Sequence, residues 1–187
     1  VAGSPDHGNT PALQFIVGGG HLVVPDAAGN FNWPATQSVT LEAIVRTTTI
    51  GEGGVGSILA KQGATPGEWW WRINATGKQG FFVNNGINGS KSVTGNAVLN
   101  DGQWHHLAAV YDATAQQVRV YVDYALDGTA AAVYAAPGNI GNANDVWIGA
   151  FQNLDREYEG DLDVVRISGA ALDPSWFIPI GGIASAV

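Results

Sequence analysis

The sequence predicts an all-β protein, a two-sheet antiparallel β-sandwich that ends in one short C-terminal helical turn. Three observations predict it. Helical periodicity is nearly absent, and alternating, β-branched or aromatic runs recur at short intervals instead. Turn signals separate those runs at Thr76-Gly77, Asn85-Gly86, Asn100-Asp101-Gly102, Asp127-Gly128 and Pro137-Gly138. Glycine supplies 26 of 187 residues, roughly twice the ordinary ~7 %, as many tight turns demand.

Taken in order, the expected strands are Ala12–Val17, His21–Val24, Val39–Thr48, Gly56–Lys61, Glu68–Ile73, Gly80–Asn84, Lys91–Thr94, His105–Asp112, Gln117–Val122, Thr129–Val133, Asp145–Ala150 and Glu157–Ile167. A dozen strands without intervening helices imply two stacked antiparallel sheets. The helix signal comes late, with Asp173 as N-cap and Pro174 at the first helical position of a turn through Trp176. No internal repeat or domain boundary interrupts residues 1–187, which read as one domain with a core of about 12–177. Residues 181–187 read as a tail or a linker.

Apolar residues make up 45 % of the chain, enough for a sizeable core, while charged residues make up only 13 %, about half the usual ~25 %. The surface is therefore mostly neutral and polar. A net charge of −8 argues against nucleic acid, whose backbone requires a basic face. No Lys or Arg run serves an anionic membrane, and no apolar stretch reaches the ~18 residues of a membrane span. Without Cys there is neither a disulfide nor a thiolate metal site. The absence of Met predicts that the chain is part of a longer precursor, whose other domains are candidate partners.

Three segments carry a family resemblance. Asp101-Gly102-Gln103-Trp104-His105-His106-Leu107-Ala108-Ala109-Val110-Tyr111-Asp112 is close to a "D-G-x-W-H-H-V-A-x-x-Y-D" pattern. Val118–Asp123 followed by Leu126-Asp127-Gly128 resembles an "L-Y-V-D-G" hairpin. Tyr158–Ile167, then Ala171-Leu172, resembles "F-x-G-x-I-D-E-V-R-I-Y-x-x-A-L". Together with Ala12–Phe15 and Val39–Val45, these segments resemble the bacterial laminin-G-like domains of the concanavalin A-like lectin/glucanase superfamily, in family order over residues 12 to 177. The resemblance implies a jelly roll working outside the cell or at its surface. Two departures stand out. Tyr124 replaces the hairpin Gly after Asp123, which predicts a longer or altered turn, and Val164 replaces an acidic residue after Asp163.

Because this superfamily hosts lectins, hydrolases, lyases and adhesion domains, function must be read from a site. Trp69-Trp70-Trp71 is the most unusual tripeptide. On a strand, Trp69 and Trp71 share the core face with Ile73, which leaves Trp70 beside Arg72 on the outer face. A flat ring there stacks on a pyranose while Arg donates to hydroxyls or a carboxylate; alternatively a loop or Arg72 itself covers the ring. Asn84 and Asn85 on the next hairpin, and Trp33 in a loop, are the further candidate contacts. The expected function is non-catalytic, lectin-like binding of a polysaccharide or glycan, with a protein–protein adhesion or spacer role as the alternative.

Acidic residues alternate at Asp155, Glu157, Glu159, Asp161 and Asp163, so in an extended strand they share a face. Paired carboxylates hydrolyse glycosides. Here, however, Glu157-x-Glu159-x-Asp161 has the wrong order for the "E-x-D-x-E" of related hydrolases and lies in the last strand. The resemblance also implies a structural calcium ion where the final strand meets the N-terminal segment, with Asp163 and Asp161 as its ligands. The competing reading is solvated charge at 155–159 and a backbone-bonded Asp163. His105 and His106, adjacent on a strand, face opposite ways and cannot share one metal. Gly51–Gly56 formally fits G-x-G-x-x-G, but strands flank it where a dinucleotide site needs a helix.

Overall fold

The structure, a computed structural model, describes residues 11–63, 67–136, 138–152 and 155–179. Among them twelve strands form: β1 (Leu13–Phe15), β2 (Leu22–Val24), β3 (Val39–Arg46), β4 (Gly56–Lys61), β5 (Glu68–Ile73), β6 (Gln79–Asn84), β7 (Ser90–Thr94), β8 (Trp104–Asp112), β9 (Gln117–Val122), β10 (Ala125–Ala131), β11 (Val146–Ile148) and β12 (Gly160–Ser168). Two six-stranded antiparallel sheets result, ordered β1-β12-β3-β8-β9-β10 and β2-β11-β4-β5-β6-β7. The long steps from β2 to β11 and from β1 to β12 stitch both chain ends into the sandwich, as a jelly roll requires.

Alternation decides which side chains enter the core. Trp69, Trp71 and Ile73 of β5 face Leu59 of β4 and Phe81 and Val83 of β6, and all are fully or almost fully buried. From the other sheet come Leu41, Ala43 and Val45 of β3, Leu107 and Ala109 of β8, and Val118 and Val120 of β9. Each large apolar side chain so enclosed is worth about 1.5–3 kcal/mol in transfer free energy. β3 is buried on both faces from Val39 to Val45. Its outer side is covered by the C-terminal segment, where Thr40 Oγ1 donates to Ala170 O (2.7 Å) and Ile178 N–H donates to Glu42 (2.7 Å). Asp173 caps the final 3-10 turn, Pro174–Trp176, by accepting from Ser175 N–H at 3.0 Å.

Two strand boundaries differ from expectation for a clear reason. β10 begins at Ala125 rather than Thr129, because Asp123 (φ 48°) and Tyr124 (φ 68°) both adopt the left-handed conformation and reverse the chain in two residues. The turn is therefore not lengthened by Tyr124. That ring stacks on His106 (4.8 Å, 8°), and its hydroxyl donates to Ile178 O at 2.9 Å. β12 begins at Gly160 rather than Glu157, and a bulge between Leu162 and Val165 breaks its alternation. No helix among the described residues is long and apolar enough to cross a membrane. Pro137 and the 181–187 tail lie outside the described residues.

Candidate functional site

Trp70 and Arg72 lie on the outer face of the second sheet, in its central strand β5. Directly across the hairpin, Trp70 pairs with Phe82 of β6, and Arg72 pairs with Gly80. On the other side Arg72 pairs with Ser57 of β4, whose Oγ accepts from Trp70 Nε1–H at 3.0 Å. The indole is thus fixed at its polar edge and half-buried.

A loop after β11 supplies the remaining wall. It is pinned to β4 by Gly149 N–H donating to Ile58 O (3.0 Å) and by Ser57 N–H donating to Arg156 O (2.9 Å). Phe151 packs on Trp70 with ring centroids 4.6 Å apart. Arg156 occupies the left-handed region (φ 53°) and brings its guanidinium 5.0 Å from the Trp70 ring and 4.7 Å from Phe151. Arg72 sits closer still, 4.0 Å over Trp70. Burial pulls the Arg72 pKa down, and the neighbouring Arg156 charge adds to the effect.

Gln62, Glu68, Trp70, Arg72, Phe82, Phe151 and Arg156 together line a recess of about 290 Å³. That is close to the ~300 Å³ lower limit of ligand pockets, a size for one monosaccharide unit rather than a buried chain. Burial raises the Glu68 pKa, partly offset by a hydrogen bond from the Asn84 side chain. Roomier recesses elsewhere lack this convergence. One is walled by Ala and Thr with Tyr111 and Tyr134, another by Gly18–Gly20 with Glu52 and Glu157. A third holds Arg46 and Asp161, already paired with each other.

The other expected site residues scatter. Asn84 stands at the rim, its side chain bonded to Glu68 and to Gly86 N–H. Asn85 is fully buried rather than displayed. Its amide donates to Ala136 O and Asn88, and its carbonyl oxygen accepts from Ile87 and Asn88 N–H, so it builds the turn instead of meeting a ligand. Trp33 is 6 % exposed and stacks on Trp69 at 5.7 Å. Its surroundings are loop, yet the ring fills the end of the core, because so large an apolar surface gains more there than in water. Neither residue is a contact of the recess. Conversely, Phe151 and Arg156 were missed: nothing local marks them, and they reach Trp70 only through the loop after β11. Phe82 was legible in principle from the β5–β6 register.

The alternating acids do not all share a face: Glu159 and Asp161 line one recess and Glu157 another. Glu157 is buried and accepts from Gly18 N–H, whereas Asp161 pairs with Arg46 through Nε (2.8 Å) and a terminal nitrogen (2.6 Å). These two residues line different recesses, so they do not form a facing carboxylate pair. Asp161 Oδ1 is buried without a hydrogen-bond partner among the described residues, but Oδ2 is held by a cation. No group of three His, Cys, Asp or Glu gathers among those residues, and Asp163 sits in the β12 bulge. The donor set therefore fits calcium poorly, since a hard cation needs six or more oxygens and a guanidinium already occupies the site.

The two histidines do diverge. His105 lies 2.9 Å from Asp123 and 3.3 Å from Asp101, while His106, fully buried, lies 3.2 Å from Glu42. Gly51 in the glycine-rich loop has φ 78°, and a Cβ there would meet Gly56 Cα at 2.5 Å. Strands β3 and β4 flank that loop, and no helix follows it.

No curated protein matches the chain by sequence. Among solved structures, the CBM40 module of Ruminococcus gnavus IT-sialidase superposes with a TM-score of 0.65 at 13 % identity, over 88 % of this chain and 95 % of that one. The same module bound to α2,3-sialyllactose gives 0.63 at 12 % identity, over 88 % and 95 %. Domains LG4-5 of the mouse laminin α1 chain give 0.62 at 17 % identity, over 83 % of this chain and 40 % of that one, so this chain spans about two fifths of that fragment. At these identities the likeness establishes the fold. The laminin-G-type family model described as the concanavalin A-like lectin/glucanases superfamily matches residues 18–176, and the chain belongs to that family.

Proposed function

We propose that the protein is a non-catalytic carbohydrate-binding module of an extracellular or cell-surface protein, and that the recess at Trp70 receives the glycan. The observation that carries this reading is convergence. Two phenylalanines, a tryptophan, two guanidinium groups, a carboxyl group and an amide meet in one shallow cavity on an otherwise weakly charged surface. Such a mixture suits a sugar, which has an apolar ring face and a rim of hydroxyls. Structural likeness to the R. gnavus module, whose structure with sialyllactose is known, supports the same reading. The separated, hydrogen-bonded acids around Glu157 and Asp161 support binding over hydrolysis.

A panel of immobilised plant, algal, fungal and animal glycans tests the proposal. The protein is expected to be retained on at least one of them, and Arg72→Ala to lose retention while keeping its melting temperature. Silence across the whole panel overturns the reading. The adhesion alternative has its own observation, namely the exposed apolar side chains Leu13, Ile16, Val17, Leu22 and Val23 near the N-terminal edge strands.

A further inference from the structure

The chain has five arginines within a net charge of −8. Three are neutralised: Arg46 by Asp161, Arg119 by Asp112 and Arg166 by Glu42. Arg72 and Arg156 form no salt bridge and donate no side-chain hydrogen bond to any described residue, although acids outnumber bases two to one. Both nevertheless come to one indole, at 4.0 and 5.0 Å. Two like charges drawn together, neither in a salt bridge with a described residue and with only the Glu68 carboxyl group, whose pKa burial raises, in the same lining, are unfavourable in the free protein. The arrangement persists because the aromatic rings of Trp70 and Phe151 hold the cations from behind. Arg156 adopts a left-handed backbone with its carbonyl tied to Ser57, a conformation in which an L side chain is placed by constraint rather than preference.

We propose that this recess is a clamp for the anionic oxygen group of an acidic glycan, a sugar carboxylate or a sulfate ester, held between Arg72 and Arg156. The proposal rests on the glycan reading of the same cavity and names its ligand class. Guanidinium forks match two oxygens of one planar or tetrahedral anion, and an anion placed between them relieves their repulsion. Trp70 then acts as a positioning residue. Its Nε1–H is committed to Ser57 and Arg72 covers its ring, so it orients the cations instead of serving as the stacking platform. Phe82 offers an aromatic surface to the sugar ring, and Glu68 and Gln62 offer acceptors to its hydroxyls.

Calorimetric titration of the intact chain separates the possibilities. The probes are sialyllactose and an oligogalacturonate for carboxylates, a sulfated galactan oligosaccharide for sulfate esters, and lactose and the methyl-esterified oligogalacturonate as neutral counterparts. At least one acidic probe should bind at least about tenfold more tightly than its neutral counterpart, and raised salt should erode that preference. Whether the carboxylated or the sulfated arm responds identifies the source of the anion. Arg156→Gln should abolish the preference without shifting the melting temperature, and Arg72→Lys, which keeps the charge but loses the fork, should reduce it. Equal binding of acidic and neutral probes, unchanged in Arg156→Gln, overturns the clamp and leaves the glycan reading standing. Absence of binding to every probe overturns the clamp, and the wider glycan panel then decides the reading beneath it. Acetate or inorganic sulfate binding as tightly as the acidic sugars overturns the glycan ligand class.

Discussion

The Lys61 ammonium stands 2.7 Å from the Asp26 carboxylate, and neither side chain reaches solvent. Lys61 lies on the inward side of β4, opposite Trp69, where alternation alone would place an apolar residue. Asp26 makes the position tolerable. Burial pushes its pKa up, but the Lys61 hydrogen bond, the Phe31 N–H and the Lys61 charge more than offset this and leave it lowered. Lys61 also donates to Asn144 O, tying the loop before β11 to β4.

Removing one partner leaves the other charge buried alone. Asp26→Asn is expected to cost about 3–5 kcal/mol in urea unfolding, whereas Asp26→Leu with Lys61→Met should recover most of that loss. A single variant as stable as wild type would show that water reaches the pair.

Glu42 gives the fold an acid-sensitive joint. It accepts from Ile178 N–H (2.7 Å) and from Arg166 Nε (2.6 Å), with His106 at 3.2 Å, and so holds the C-terminal segment against β3. Burial raises its pKa, yet these partners outweigh burial and the net shift is downward from 4.5. The stabilisation is therefore complete above about pH 4.5 and fades as pH falls through the lower folded value. Melting temperature should drop below pH 4.5 more steeply in wild type than in Glu42→Gln. At neutral pH that variant should be about 2–3 kcal/mol less stable.

Tyr124 offsets its own strained turn. A non-glycine residue at φ 68° costs on the order of 1 kcal/mol, while stacking on His106 and the hydrogen bond to Ile178 O return roughly 1–2 kcal/mol. Tyr124→Phe should lose about 1 kcal/mol, and Tyr124→Gly should be no more stable than wild type. A stabilised glycine variant would mean that the ring contributes nothing.

Calcium provides a direct check on the Arg46–Asp161 pair. Thermal melts with millimolar calcium and with chelator should coincide, and titration calorimetry should show no binding heat. A calcium-dependent rise in melting temperature that Asp161→Asn removes would show that the ion displaces Arg46.

Strand identity was written locally. Alternation placed Trp69, Trp71 and Ile73 inward and Trp70 and Arg72 outward, turn residues marked the hairpins, and Asp173-Pro174 marked the last turn, because each depends on neighbours within a few residues. Even the divergence of His105 and His106 follows from a period of two. The tertiary structure decided whatever depends on distant partners. Trp33 went into the core because Trp69 offered it a face, and Asn85 was buried because the chain at Ala136 closes over it. The acids from 155 to 163 lost their common face to a late strand start and a bulge. Arg156, more than eighty residues from Trp70 in sequence, completed the recess through a loop whose path no local pattern encodes. The sequence by itself thus determined the sandwich and the outward pair on β5. Which charges stay unpaired beside that pair was settled only when the sheets and loops closed, because pairing depends on spatial rather than sequential neighbours.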